Sequence, residues 1–196
     1  MKFIDDFLNK ITMYRLVLYY LITLLVAAAV LGFFNVLPYS PADLAFSTLL
    51  ILAVGWITNT AFVKGFDAIA NVESVYITGL ILALLITPVA PTNYAGVGFL
   101  IFASAWAMAS KFIFALEKKH LFNPAAFGVA LSALVIGQAA SWWGGSSLPL
   151  LPIVFLGGLL IVRKIHRFDL VGAFLVTAFL TIIFTSTSVA RPLAIW

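Results

Sequence analysis

Long apolar runs broken by short polar knots organise this chain from end to end. An α-helix rises about 1.5 Å per residue, so roughly 20 apolar residues cross a hydrocarbon core of about 30 Å. On that ruler the pattern predicts seven spans: Met13 to Val36, Asp43 to Val63, Ser74 to Ala90, Gly96 to Leu116, Asn123 to Ala139, Pro149 to Val162 and Asp169 to Thr185. The fifth and sixth are short, which suits a partly re-entrant path that lipid tolerates only where protein covers the backbone. Helix breakers fall where loops are needed, at Pro38 and Pro41, Gly65, Pro88 and Pro91, Gly144 and Gly145, and Pro192. No linker interrupts the series, so residues 1–196 read as a single all-α domain, a polytopic transmembrane helical bundle. The opening MKFIDDFLNKITMYR carries acids and precedes an apolar run too long for a signal peptide, and it reads as a short cytoplasmic helix leading into the first span.

Composition reinforces the pattern. Of the 196 residues 64% are hydrophobic and 9% charged, and the mean hydropathy is +1.16, far outside the range of soluble domains. There is no Cys, which excludes disulfides and thiolate-held zinc or iron–sulfur clusters within this chain. The bases are scattered between apolar segments rather than gathered on one soluble face, so nucleic acid is not an expected partner and membrane lipid is.

Charge then sets orientation. With the seven spans drawn, Lys2, Lys10, Arg15, Lys64, Lys111, Lys118, Lys119, Arg163, Lys164 and Arg167 share the N-terminal side, which leaves Arg191 alone opposite. The bias of cytoplasmic loops toward Lys and Arg places that side in the cytoplasm of a cell inner membrane. The opposite loops, Pro91 to Ala95 and Ser141 to Ser147, are uncharged, and their Tyr94, Trp142 and Trp143 suit an interfacial aromatic belt.

Few side chains offer chemistry. His120 and His166 both fall in cytoplasmic loops, so facing haem ligands inside the bundle are not expected, and no catalytic residue or metal ligand is assigned. The acids stand in or beside loops and form no proton wire at membrane depth. Lys64, Lys111 and Arg15 lie about a turn inside span ends, where long side chains snorkel to the interface. Small residues (Ala103, Ser104, Ala105, Ala107, Ala109, Ser110, Gly157, Gly158 and Gly172) suit close helix packing, and Thr58, Asn59 and Thr60 suit interhelical hydrogen bonds. The stretch KKHLFNPAAFG combines an N-cap Asn123 and a first-turn Pro124 with Lys118, Lys119 and His120. Bases and helix N-terminus together would suit an anionic or hydrogen-bond-accepting ligand, though a plain helix start needs nothing more.

Three blocks carry a resemblance. Asn71 to Leu84, which ends in Thr78-Gly79-Leu80-Ile81-Leu82-Ala83-Leu84 with Pro88 and Pro91 behind it, resembles the Thr-Gly-Leu-Leu-Leu-Ala-Leu block of the RnfD/NqrB family. Leu121 to Gly128 is similar to that family's Phe-Asn-Pro-Ala helix start, and Leu156 to Leu160 to its Leu-Gly-Gly-Leu segment. The resemblance covers roughly residues 40 to 190. It implies a membrane subunit of ion-translocating, flavin-dependent NADH or ferredoxin oxidoreductases, built as two inverted halves like the urea transporters. It further implies partner electron-transport subunits, or a cytoplasmic NADH- or FAD-binding reductase domain. The family's Asn-x-x-Asn-Pro-Ala places both asparagines near flavin; here those positions are His120 and Asn123. Cofactor-binding expectations therefore fall on His120, Asn123 and Pro124, on Thr78 and Gly79, and on Trp142 and Trp143 for a site nearer the outer face. The family's covalent FMN attachment uses a Ser-Gly-Ala-Thr stretch, whereas this chain has Trp142-Trp143-Gly144-Gly145-Ser146-Ser147 there, without a Thr. The expected cofactor is thus a noncovalent flavin, FMN or riboflavin. The family also continues beyond Trp196, so the chain looks cut short at its C-terminus. A solute channel or transporter on the same fold, or a structural membrane anchor, are the other functions this pattern allows.

Overall fold

The computed structural model describes residues 8–68, 71–116 and 119–189. Its elements run α1 (Met13–Phe33), α2 (Pro41–Phe66), α3 (Val72–Leu85), α4 (Tyr94–Ile113), a two-stranded hairpin β1 (Ala115–Leu116) and β2 (Lys119–His120), α5 (Pro124–Ile136), a single turn α6 (Trp143–Ser146), a 3-10 turn (Leu148–Leu150), α7 (Leu151–Ile165) and α8 (Phe168–Val189). The expected N-terminal helix lies largely outside the described residues, as do Lys118, Arg191 and Pro192.

The helical bundle is as expected, but the count of full crossings is not. Five helical segments of the described residues are long and apolar enough to span a membrane, the fourth being Leu148–Ile165 and the fifth within α8; α3 and α5 are shorter apolar helices. At 14 and 13 residues these two rise about 21 and 20 Å, short of a hydrocarbon core. Local chemistry stops them. Ile86 already has extended dihedrals, and Pro88 just beyond it has no N–H with which to continue the helix ladder. Gly137 ends α5 in the left-handed conformation at φ 66°, which glycine adopts without a Cβ clash. The sequence pattern had continued these spans to Ala90 and Ala139, because apolar residues run on past both stops.

Helix starts are written in the sequence. Thr12, Ser40, Asn71, Asn93 and Asn123 each accept a backbone N–H of the first turn of the helix they precede. Packing then selects α4 as the central helix. It lies against α2, α3 and α5, and its Ala103, Ser104, Ala107, Met108, Ala109 and Ser110 are buried. A Cβ on Gly128 of α5 would run into the Ala103 carbonyl oxygen and lie 2.9 Å from the Ala107 Cβ, so α4 and α5 touch backbone to backbone. Gly79 of α3 makes a similar approach, where a Cβ would stand 2.6 Å from the Leu52 Cδ2 of α2. In α7, Gly157 seats the Tyr20 ring of α1, whereas Gly158 and Gly172 face open space rather than a neighbouring helix.

Hydrogen bonds between helix ends fix the alternation of direction. Arg15 of α1 meets Glu73 of α3 at 3.2 Å, and Lys111, near the end of α4, reaches Ser74 at the start of α3. At the opposite end the Ser47 hydroxyl of α2 both accepts from the Val89 N–H and donates to its carbonyl, just after α3. Among the described residues the basic side chains Lys10, Arg15, Lys64, Lys111, Arg163, Lys164 and Arg167 therefore gather toward one end, here termed the basic end.

Candidate functional site

At the basic end the helices part around a cavity of about 610 Å³. Tyr14 enters from the first turn of α1, and Asn59 and Phe66 from the last turns of α2, followed by Asp67 and Ala68. Asn71 and Ser74 come from the start of α3, Lys111 and Phe112 from the end of α4, and Ala115 and His120 from the hairpin. Phe62, Phe66 and Phe112 form one aromatic cluster with ring centroids 5.6 to 6.2 Å apart, which stiffens the wall between α2 and α4. A second cluster of Phe114, Phe122 and Phe127 grips the base of the hairpin. With the antiparallel register Ala115 to His120, it sets His120 at the cavity's edge.

Two polar side chains define the interior. Lys111 is only 6% exposed, and its Nζ donates to the Ser74 carbonyl at 2.9 Å and to the Ser74 hydroxyl oxygen at 3.3 Å. The expected snorkelling of Lys111 into the interface is thus not what it does: the partner within reach is the first turn of α3, and the side chain turns inward to it. No carboxylate among the described residues pairs with it; Glu73 is taken by Arg15, and Asp67 stands exposed on the rim. Asn59 is 8% exposed and lines the cavity; its side-chain amide makes no hydrogen bond among the described residues, and its polar atoms reach the open space instead of being sealed from it. Among the described residues the expected interhelical bonds of this stretch are not formed either: Thr60 donates to Trp56 of its own helix at 2.8 Å, and Asn59 faces the cavity.

The other expected cofactor residues fall in three places. Only His120 lines this cavity. Asn123 caps α5, its Oδ1 accepting from the Ala125 and Ala126 N–H groups at 3.1 and 3.2 Å, and Pro124 fills the first helical position. Thr78 and Gly79 sit one turn above the cavity; the Thr78 hydroxyl donates at 2.8 Å to the same Ser74 carbonyl that Lys111 uses, while Gly79 serves the contact with α2. Trp142 and Trp143 are at the far end of the bundle. The Trp143 indole N–H is shared between the Ala83 and Ile86 carbonyls, both at 3.0 Å, and its ring packs edge-on against Tyr39 at 5.0 Å. His120 and the tryptophans thus do not share a site.

Asn59 and Lys111 were visible in the sequence as polar residues inside apolar runs, but nothing in their spacing joined them. They are brought together by α4 lying against α2, through close approaches such as Gly55 to Met108, where a Cβ would come within 2.9 Å of the Met108 Cε.

Fold and site together define a polytopic α-helical bundle of membrane type with a polar, aromatic-walled cavity open at its basic end. Compared with known protein families, curated proteins and solved structures, the chain matches none.

Proposed function

We propose that this chain is the membrane subunit of a flavin-dependent electron-transport system of the Rnf/Nqr kind, with FMN or riboflavin held noncovalently in the cavity at the basic end. The observation that carries the reading is the cavity itself. Its volume of about 610 Å³ falls within the roughly 300–1,000 Å³ of cofactor pockets, and its apolar, aromatic wall carries a few convergent polar groups. The fit to an isoalloxazine is chemical: Tyr14, Phe66 and Phe112 supply apolar faces, and Lys111 and Asn59 supply donors for a carbonyl edge. When bound, a flavin supplies one- and two-electron transfer; the chain binds and orients it and keeps the path dry.

In this reading the basic end faces the cytoplasm of a cell inner membrane, where a reductase subunit or an NADH- or FAD-binding domain docks and the electrons enter. All seven apolar helices belong to the bundle, with α3 and α5 as its short members, in an arrangement like part of an inverted-repeat, urea-transporter-like fold. Coupling to ion movement belongs to the same proposal.

One observation favours a second reading, a solute channel or transporter. The short helices α3 and α5 pack on each other and each gives way to irregular chain, as discontinuous helices do around a transporter's site. The absorption spectrum of the purified full-length protein separates the two: a flavin band that co-purifies supports the first, and its absence from fully folded protein overturns it. The band should leave with the denatured protein's supernatant, since the loop between Gln138 and Pro149 offers no Thr for a phosphoester. Reporters placed after Lys119 and after Arg167 should read cytoplasm, and one after Gly145 the outside; the reverse at any of them breaks the orientation.

A further inference from the structure

We infer that the ligand of the basic-end cavity is an organic anion, its negative group held by the Lys111 ammonium with the Asn59 amide as a second donor. This deepens the proposed function, on whose reading it selects FMN over neutral riboflavin, and its test is separable from that of the flavin.

Lys111 carries the argument first. An ammonium taken out of water is costly unless a charge partner and hydrogen bonds replace its hydration. Ser74 satisfies two of its protons, yet both acceptors are neutral, and no carboxylate of the described residues is paired with it. Positive charge at this point is therefore hydrogen-bonded but not neutralised. Its surroundings add to the field. The start of α3, which gives Asn71 and Ser74 to the lining, directs its partial positive end toward the same space. Asp67, the acid in the lining, is exposed and outside ion-pair distance of Lys111.

Asn59 is the independent observation. The Asn59 side chain is mostly buried, yet its amide makes no hydrogen bond among the described residues and its polar atoms are reached only from the cavity side, which leaves a donor and an acceptor free for a ligand atom there. Size supplies the rest. A space of about 610 Å³ is many times larger than a bare inorganic anion, and Tyr14, Phe66 and Phe112 in its wall suit a flat organic body. A purely structural role for Lys111, pinning α4 to α3 through Ser74, accounts for its two hydrogen bonds but for neither the open Asn59 nor the space beside it.

The experiment uses the full chain in phosphatidylcholine nanodiscs and a pair of probes alike in shape and unlike in charge, 2-naphthoate and 2-naphthamide. A hydrogen bond to a charged group is worth about 1.5–3 kcal/mol, so the anion should bind roughly tenfold or more tightly than the amide. Lys111→Met should equalise the two, and Lys111→Arg should keep the preference. Equal affinities in the wild type, no binding of the anion, or a preference that survives Lys111→Met would overturn the inference. Should Lys111→Met fail to fold, the wild type still decides: 2-naphthoate should shield Lys111 from acylation by acetic anhydride, read by mass spectrometry, and an unshielded Lys111 refutes the site. Repeating the titration in phosphatidylglycerol discs identifies the source of the anion. Competition that also shields Lys111 assigns the site to a lipid headgroup phosphate, and unchanged affinity assigns it to a soluble anion. FMN and riboflavin form the last pair. If neither binds while the naphthoate preference holds, the flavin reading falls and the anion site remains.

Discussion

Where α3 ends, Trp143 turns its indole N–H onto two carbonyls, Ser47 closes both backbone groups of Val89, and Asn93 caps α4 through Gly96. Where α3 begins, Ser74 takes Lys111 and Thr78 onto one carbonyl, but Asn59 and the charge of Lys111 stay open to a cavity. The end with the tryptophans has a second cavity of about 190 Å³ beside Ile86 and Gln138, less than a third the size of the first. The difference is one of completed and uncompleted polar sets. A closed set rigidifies, since each group left bare would cost the desolvation it suffers. An open set at the end of a bundle is a place for something else to bind.

That contrast can be broken by substitution, most severely through the contact both ends share. Gly128→Val sets a side chain against the Ala103 carbonyl and should cost more than about 3 kcal/mol, beyond ordinary overpacking because backbone must move. Folded yield after detergent extraction is the readout, and a wild-type yield would show that α4 and α5 do not touch there. Trp143→Phe keeps the ring but bares the Ala83 and Ile86 carbonyls, for a loss of about 1–3 kcal/mol. In a chain of this size that lowers the midpoint of thermal unfolding by about 2–4 °C per kcal/mol, with ligand affinity unchanged. An equal loss of affinity would mean that the two ends are coupled.

At the basic end the sign of the comparison reverses. Asn59→Leu should leave stability within about 1 kcal/mol of wild type, because no protein hydrogen bond is lost, while anion binding falls roughly tenfold. A large destabilisation with binding intact would assign Asn59 to the fold instead. Asn123 sharpens the boundary of the site. Asn123→Asp caps as well and should change little, whereas Asn123→Ala should cost about 1 kcal/mol, both with unchanged flavin content per folded protein. Loss of flavin in the Asp variant alone would bring Asn123 into the site as an amide donor. The smallest effect belongs to Arg15→Gln. Its pair with Glu73 is exposed, and such pairs contribute about 0.2–1 kcal/mol, a shift that salt should erase in the wild type.

Much of this was legible in the chain itself. Apolar runs of about 20 residues demand helices in lipid, and the cap at Asn123, the breaker at Pro88 and the clustering of bases follow from local chemistry that needs no neighbour. Hydropathy did not reveal which helix is central. The α4 segment is the least hydrophobic of the five long ones and 56% buried, while the α8 segment, among the most hydrophobic, is wholly unburied. In lipid, apolar character marks what faces the acyl chains as readily as what faces protein, so small residues and not greasy ones point inward. Nor did periodicity show that α3 and α5 stop early, since apolar residues continue past Leu85 and Ile136 and the stop lies in backbone dihedrals. The site was decided last. Asn59, Ser74, Lys111 and His120 lie on three helices and a hairpin, and only the packing of α2, α3 and α4 converts four scattered polar residues into one cavity. Sequence spacing governs neighbours within a helix; which helices become neighbours is settled by the close approaches at Gly55, Gly79 and Gly128, and these exist only once the bundle has formed.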